Sequence, residues 1–548
     1  MVQGIGLPNG IRHREVSLRS FRLFALSALL SVAVGCGGGG GDNTGTNTAS
    51  ANAGFIVAAR VNPREINIYR VDQPNAPIQT IPNVFFTSGS NILDNAGKRV
   101  GVYWSGPLGV TYPTALGIFT SSQAVTLGAE AGHEYEYIGY IGSLAPRVLY
   151  RDIAAPSNVS LRSAKLDGTD SRELVGGCLT LDLPVWSASG VAVRCDKGSG
   201  NGIWFSDGVA PAVQLPGAAS RQPKVLTATN LVLYDPSGTP SLFTQAIAAP
   251  FTQQKLLLGN AGADSPEVHV NPAGVAWVRT FNVLDAQAWQ AWVVDTANPA
   301  LVQSRYKSSG VPLFETMSPD GLRFAGIYQN MNGAGLGDRS WVMTLDATAP
   351  DIGVEVTPPS APLTVSDISI LESGKILVTR GTSLNPTGIY LHDANGSNVL
   401  QKGDVGLRVL GLRGEYAFLG DANSSGVLQS VNLAVGGGLC TLEIAAAAPV
   451  PSFVSPPGAT PQYVTYVNDA NEAWIADPDL CIAQRIDLTG TNLVTKIGEG
   501  VGNRVFLVLN REEGATDQDD IVMVDLDTLV TTPIVSGPTS DYGLYFPN

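Results

Sequence analysis

Charge and histidine are scarce in this chain: of 548 residues only 15% are Asp, Glu, Lys or Arg, and four are His. So few imidazoles leave little material for a His-rich metal centre. The 33 Lys plus Arg against 47 Asp plus Glu give a formal net charge of −14, which disfavours nucleic acid and anionic lipid as partners. No run reaches the roughly 18 apolar residues of a spanning helix. The sequences Gly-x-Ser-x-Gly, His-Glu-x-x-His, Gly-x-x-x-x-Gly-Lys and Cys-x-x-Cys-His are all absent. With them go the linear signatures of a hydrolase elbow, a zinc peptidase, a phosphate-binding loop and a haem attachment. Turn formers are plentiful instead, with 62 Gly and 35 Pro beside 44% hydrophobic residues. That balance describes a folded, loop-rich β-protein and not a disordered chain.

The N-terminus has three parts. Arg12, Arg14, Arg19 and Arg22 against Glu15 make a positive stretch, residues 23–34 are an apolar run, and Ala33-Val34-Gly35-Cys36 is followed at once by five glycines. Twelve residues in a helix rise about 18 Å, short of a hydrocarbon core of about 30 Å, so the run reads as an export signal. The segment resembles a bacterial lipoprotein signal, although Ala33 stands where that family usually has Leu. The resemblance implies cleavage after residue 35 and attachment of diacylglycerol at Cys36. Removing residues 1–35 takes four Arg and one Glu and moves the charge from −14 to about −17. Residues 36–54, rich in Gly, Asn and Thr, read as a flexible tether between the lipid and a globular body. The residue after Cys36 is Gly and not the Asp that retains many lipoproteins at the inner membrane, so the resemblance points to the outer membrane.

The body repeats. Strand-like runs ending in Asp and a turn recur at Asp72, Asp167, Asp207, Asp295, Asp346, Asp393, Asp487 and Asp525. Their spacing is about 45 residues or twice that, and degenerate members near Thr120, Ala248 and Ala434 fill the long gaps. About eleven units of several short strands result, which is the signature of β-propeller blades. A second marker precedes each: Met317-Ser318-Pro319-Asp320-Gly321 closely resembles the Ser-Pro-Asp-Gly hairpin of TolB-type propeller repeats. Weaker echoes end in Gly97, Gly190, Gly274 and Gly374. Gly supplies the positive φ of such a hairpin, and Asp or Asn bonds its own backbone.

The expected fold is therefore all-β, a propeller of about eleven four-stranded repeats. Since single rings usually hold four to eight blades, two tandem rings are expected, 55–310 and 311–548. One ring of seven or eight blades with extra β elements is the alternative. Pro-rich stretches at 357–362 and 449–457 are rival linkers, and the strand-like 55–61 is a candidate for ring closure near the C-terminus.

Beyond Cys36 four cysteines remain, Cys178, Cys195, Cys440 and Cys481. An even number in an exported chain suggests disulfides. Cys178 and Cys195 flank one hairpin-like unit around Trp186 and the other two lie in neighbouring units, so the expected pairs are 178–195 and 440–481. Zinc is the weaker reading, because no Cys-x-x-Cys occurs.

Candidate chemistry is thin. Gly132-His133-Glu134-Tyr135-Glu136-Tyr137 gathers an imidazole, two carboxylates and two phenols. Alternation on a strand would put Glu134 and Glu136 on one face and His133, Tyr135 and Tyr137 on the other, so His133, Glu134 and Tyr135 are weak functional candidates. His269 and His392 read as structural. No catalytic set, metal site or cofactor is expected. Calcium at the turn Asp residues or at Asp517-Gln518-Asp519-Asp520 is the alternative, but neither has the ligand spacing of a calcium loop, and Asx-turns explain the repeats. The expected function is a membrane-anchored binding or scaffold module for envelope protein or glycan partners, without nucleic acid. A propeller enzyme acting on envelope polysaccharide or peptide is the alternative.

Overall fold

The computed structural model describes the strands from Phe55 to Val535 and most turns between them. Residues 1–54 and 536–548 and some inter-strand loops lie outside the described residues, and with them Cys36, the export signal, the tether, Asp517 and the expected break at Gly310.

Among the described residues every regular element is a strand, and the strands form eleven antiparallel sheets in chain order. They span 55–82, 84–128, 134–178, 180–215, 222–255, 264–308, 314–355, 365–402, 407–444, 452–485 and 493–535. The first has three strands; each of the others is a four-stranded up-and-down meander. Second strands read as near-continuous apolar runs. Gly190–Asp196 (GVAVRCD) and Asn230–Asp235 (NLVLYD) are buried over four successive residues. A run of that kind belongs to a strand covered on both faces, and each such Val, Leu or Ile contributes about 1.5–3 kcal/mol by leaving water.

The covering comes from the neighbouring sheets. Core clusters join each sheet to the next: Ile66 and Ile68 with Tyr103 and Phe119, Leu149 and Leu161 with Val191 and Val193, and so on along the chain. A final cluster brings Ala58 and Tyr69 of the first sheet against Phe506, Val508, Ile521 and Met523 of the eleventh. Four-stranded meanders packed face to face in a cyclic series are a β-propeller.

Contacts between neighbouring sheets run through the whole series. Trp277 of the sixth sheet stacks on Phe324 of the seventh at 4.6 Å between ring centroids, so apolar contact continues across the expected break. The first sheet is closed by the eleventh and not by the sixth, and residues 52–548 make up one compact unit. Closure also differs from the expected strand addition. Phe55–Val61 pairs with Arg64–Arg70 of its own sheet, and the sheet as a whole packs on the last one.

First strands lie where the sheets converge. Glu134–Ile141 adjoins Thr180–Ser187, which adjoins Gln222–Leu226. Register shifts mark the first strands of sheets two to six, eight, nine and eleven. Each inserts residues that increase local twist and turn later side chains to the other face.

The Gly hairpins fasten neighbours together. In sheets six to eight, Gly274, Gly321 and Gly374 sit at φ +81, +68 and +78° and donate to the carbonyls of Asn271, Ser318 and Leu371. Asn271 Nδ2 then donates to the Gly321 carbonyl of the next sheet at 2.9 Å, and Arg323 Nη1 to the Gly374 carbonyl at 3.2 Å. The carbonyls of Gly321 and Gly374 thus also rivet sheet to sheet.

Candidate functional site

Sheet three, residues 134–178, carries a polar cluster around His133 and Asp152. The turn before it returns the backbone N–H of His133 to the carbonyl of Glu130. That turn sets the half-buried imidazole against the second strand, Arg147–Ala155. There Nδ1 meets Oδ1 of Asp152 at 2.6 Å, and Nε2 lies 3.4 Å from Oε2 of the exposed Glu130. Asp152 is buried, with Arg162 Nη1 3.5 Å from its other oxygen. The His133 ring stacks on Tyr135 at 6.2 Å, and the Tyr135 hydroxyl accepts the Glu130 N–H at 3.0 Å. Burial pushes the Tyr135 phenol up, the Glu130 N–H pulls it back, and the carboxylates of Asp152 and Glu130 push it up further.

His133 and Tyr135 are therefore brought together, as alternation places them. Glu134 is exposed on the opposite face and stays outside the cluster, and Glu136 pairs there with Arg151 at 2.7 Å. Sequence reading missed Asp152 and Arg162, which reach His133 only through strand pairing; the sole local signal was Glu130, three residues upstream. The Asp152 carboxylate at Nδ1 orients the ring, and Nε2 faces Glu130. That is the orienter-and-base half of a general acid–base site. Among the described residues His133 contacts Asp152, Glu130 and Tyr135.

The turn Asp residues do what their chemistry suggests. Asp167 Oδ1 accepts the N–H of Thr169, Asp207 those of Val209 and Ala210, and Asp295 those of Ala297 and Asn298. These are Asx-turns, and among the described residues no three His, Cys, Asp or Glu gather to hold a metal. His392 is buried in the third strand of sheet eight, and His269 lies on the first strand of sheet six beside Phe324.

Both cysteine pairs form disulfides, Cys178–Cys195 and Cys440–Cys481. Neither lies within one blade: Cys178 ends the last strand of sheet three and Cys195 sits in the second strand of sheet four, while the other bridge joins sheets nine and ten. Both bridges are staples between blades.

No known family profile matches the chain, and no curated protein does. Among solved structures it is similar to TolB from Acinetobacter baumannii, with 12% identity over 58% of this chain and 80% of that one and a TM-score of 0.25. It is also similar to prolyl oligopeptidase B from Galerina marginata, with 10% identity over 80% of this chain and 55% of that one and a TM-score of 0.31. A eukaryotic initiation factor is matched with 10% identity over 72% of this chain and 97% of that one, with a TM-score of 0.38. At this distance the likenesses concern the fold alone.

Proposed function

We propose that the protein is an exported β-propeller, anchored to the cell envelope through diacylglycerol on Cys36, that binds protein or glycan partners. The observation that carries this reading is the rigid series of sheets whose adjoining first strands put exposed side chains of successive blades side by side, among them Glu134, Glu136 and Trp186. Disulfides between blades fit an oxidising compartment. The sequence 33–36 and the Gly-rich tether supply the anchor, with the outer membrane as the expected site. A pull-down from solubilised envelope, comparing the lipidated protein with Cys36→Ala, tests it. One partner enriched only with the lipidated form supports the reading; equal recovery, or none, sinks the anchored version.

A second reading is favoured by one contact, that of His133 with Asp152. It makes the protein a propeller enzyme acting on envelope polysaccharide or peptide, with His133 as the proton-transfer group. Turnover abolished by His133→Gln while the fold is kept would establish it.

A further inference from the structure

On Thr180–Ser187, the first strand of sheet four, simple alternation would put Asp182 and Trp186 on one face. A register shift intervenes: Asp182 pairs with Arg194, but Val185 pairs with Ala192 and Trp186 with Val191. The extra residue turns the indole to the Val191 face, which packs on sheet three. Leu183 within the bulge has φ +49°, a left-handed conformation that a branched side chain adopts only at a cost in energy.

The neighbouring strand makes room. Gly139 of Glu134–Ile141 lies beneath the indole, where a Cβ would come within 2.4 Å of Trp186 Cε2. Any other residue there would displace the ring. Gly139 is opposite Leu149, which packs toward sheet four, and Glu136 is opposite Arg151, two residues further along the same face. Thus an indole, a carboxylate and a guanidinium share the face between sheets three and four. Trp186 remains 42% exposed despite its seat against backbone. Arg151 gives one Nη1 to Glu136 at 2.7 Å, while its Nε is buried without a protein partner; Glu136 is 55% exposed.

We infer that this face is a saccharide subsite: the apolar side of a neutral pyranose ring stacks on Trp186, and its hydroxyls bond to Glu136 and Arg151. The inference rests on the binding-module reading and names its ligand class. The pair Glu136 and Arg151 is neutral as a unit, so it asks for no charge on the occupant. The half-exposed Glu136 carboxylate offers acceptors, and the partly exposed Arg151 guanidinium beside it offers N–H donors, which suits a polyol whose hydroxyls do both. An indole supplies broad contact area at little entropy cost. A proline-rich peptide would use the ring but leave the Glu136 acceptor unmatched.

The test uses the full mature chain against immobilised neutral hexasaccharides of glucose, mannose, galactose and N-acetylglucosamine, with a proline decapeptide alongside. The expected result is binding to at least one hexasaccharide, weakened about tenfold or more by Trp186→Ala and about threefold by Glu136→Gln. Val530→Ala, an exposed side chain of sheet eleven, leaves it unchanged. Unaltered thermal melting of each variant shows that the fold is kept. Failure to bind any hexasaccharide, binding indifferent to Trp186→Ala, or Trp186-dependent capture of the decapeptide instead each overturn the inference. The broader reading fails separately: an envelope partner recovered when no hexasaccharide binds would keep the binding module while removing the saccharide subsite, and no partner in either assay would remove both.

Discussion

His133 Nδ1 and Asp152 Oδ1 meet at 2.6 Å across 19 residues of sequence, joining the turn before sheet three to the strand behind it. The buried carboxylate also faces Arg162. Replacing Asp152 by Ala therefore strands two polar partners. Urea unfolding should show a loss of about 1–3 kcal/mol. Because the Asp152 charge helps to raise the Tyr135 phenol, Asp152→Asn should lower that titration, seen by ultraviolet absorbance. An unmoved Tyr135 would mean the cluster is not assembled in solution.

Asn271, 4% exposed, donates to the Gly321 carbonyl and accepts the Val275 N–H, both at 2.9 Å. Asn271→Ala removes a hairpin bond and a rivet between sheets six and seven at once. A cost of about 2 kcal/mol is expected from the denaturant midpoint. Substitution of Asn230, whose side-chain amide donates to its neighbour Thr229, should cost well under half of that.

The two disulfides close 17 and 41 residues of chain. Loop-closure entropy assigns them about 3 and about 4 kcal/mol. Cys178→Ser and Cys440→Ser should lower the urea midpoint accordingly, and dithiothreitol should bring the parent protein down by both. Insensitivity of the parent to reductant would show that the bridges do not form.

Asp235 is held below the ordinary carboxylate range, first by the Ser237 hydroxyl, then by the Ser237 N–H at 3.0 Å and by Arg221 Nε at 3.3 Å, against a partial burial that opposes them. The unfolded chain binds its proton more readily, so the stabilisation is complete above the unfolded value of 3.8 and disappears as pH falls through the lower folded value. Asp235→Asn should cost about 1–2 kcal/mol at pH 7. It should also flatten the stability curve below about pH 4, measured by chemical unfolding across that range.

The repeat, the strand content and the turns were legible along the chain. Local chemistry suffices for these: Gly at positive φ marks the hairpins at Gly274, Gly321 and Gly374, Asp accepts the N–H groups two and three residues on, and apolar runs such as Leu231-Val232-Leu233 mark strands covered on both faces. The sequence reached the cysteine pairing through proximity in the chain. The packing of the first sheet on the last was not legible there, because it brings Ala58 to Phe506, a contact separated by nearly the whole body and invisible to any period. Tertiary structure also assembled His133 with Asp152 and turned Trp186 toward Gly139. In the first case strand pairing joins distant residues. In the second a single bulge reverses the face that alternation assigns, and a pattern of period two carries no record of the extra residue.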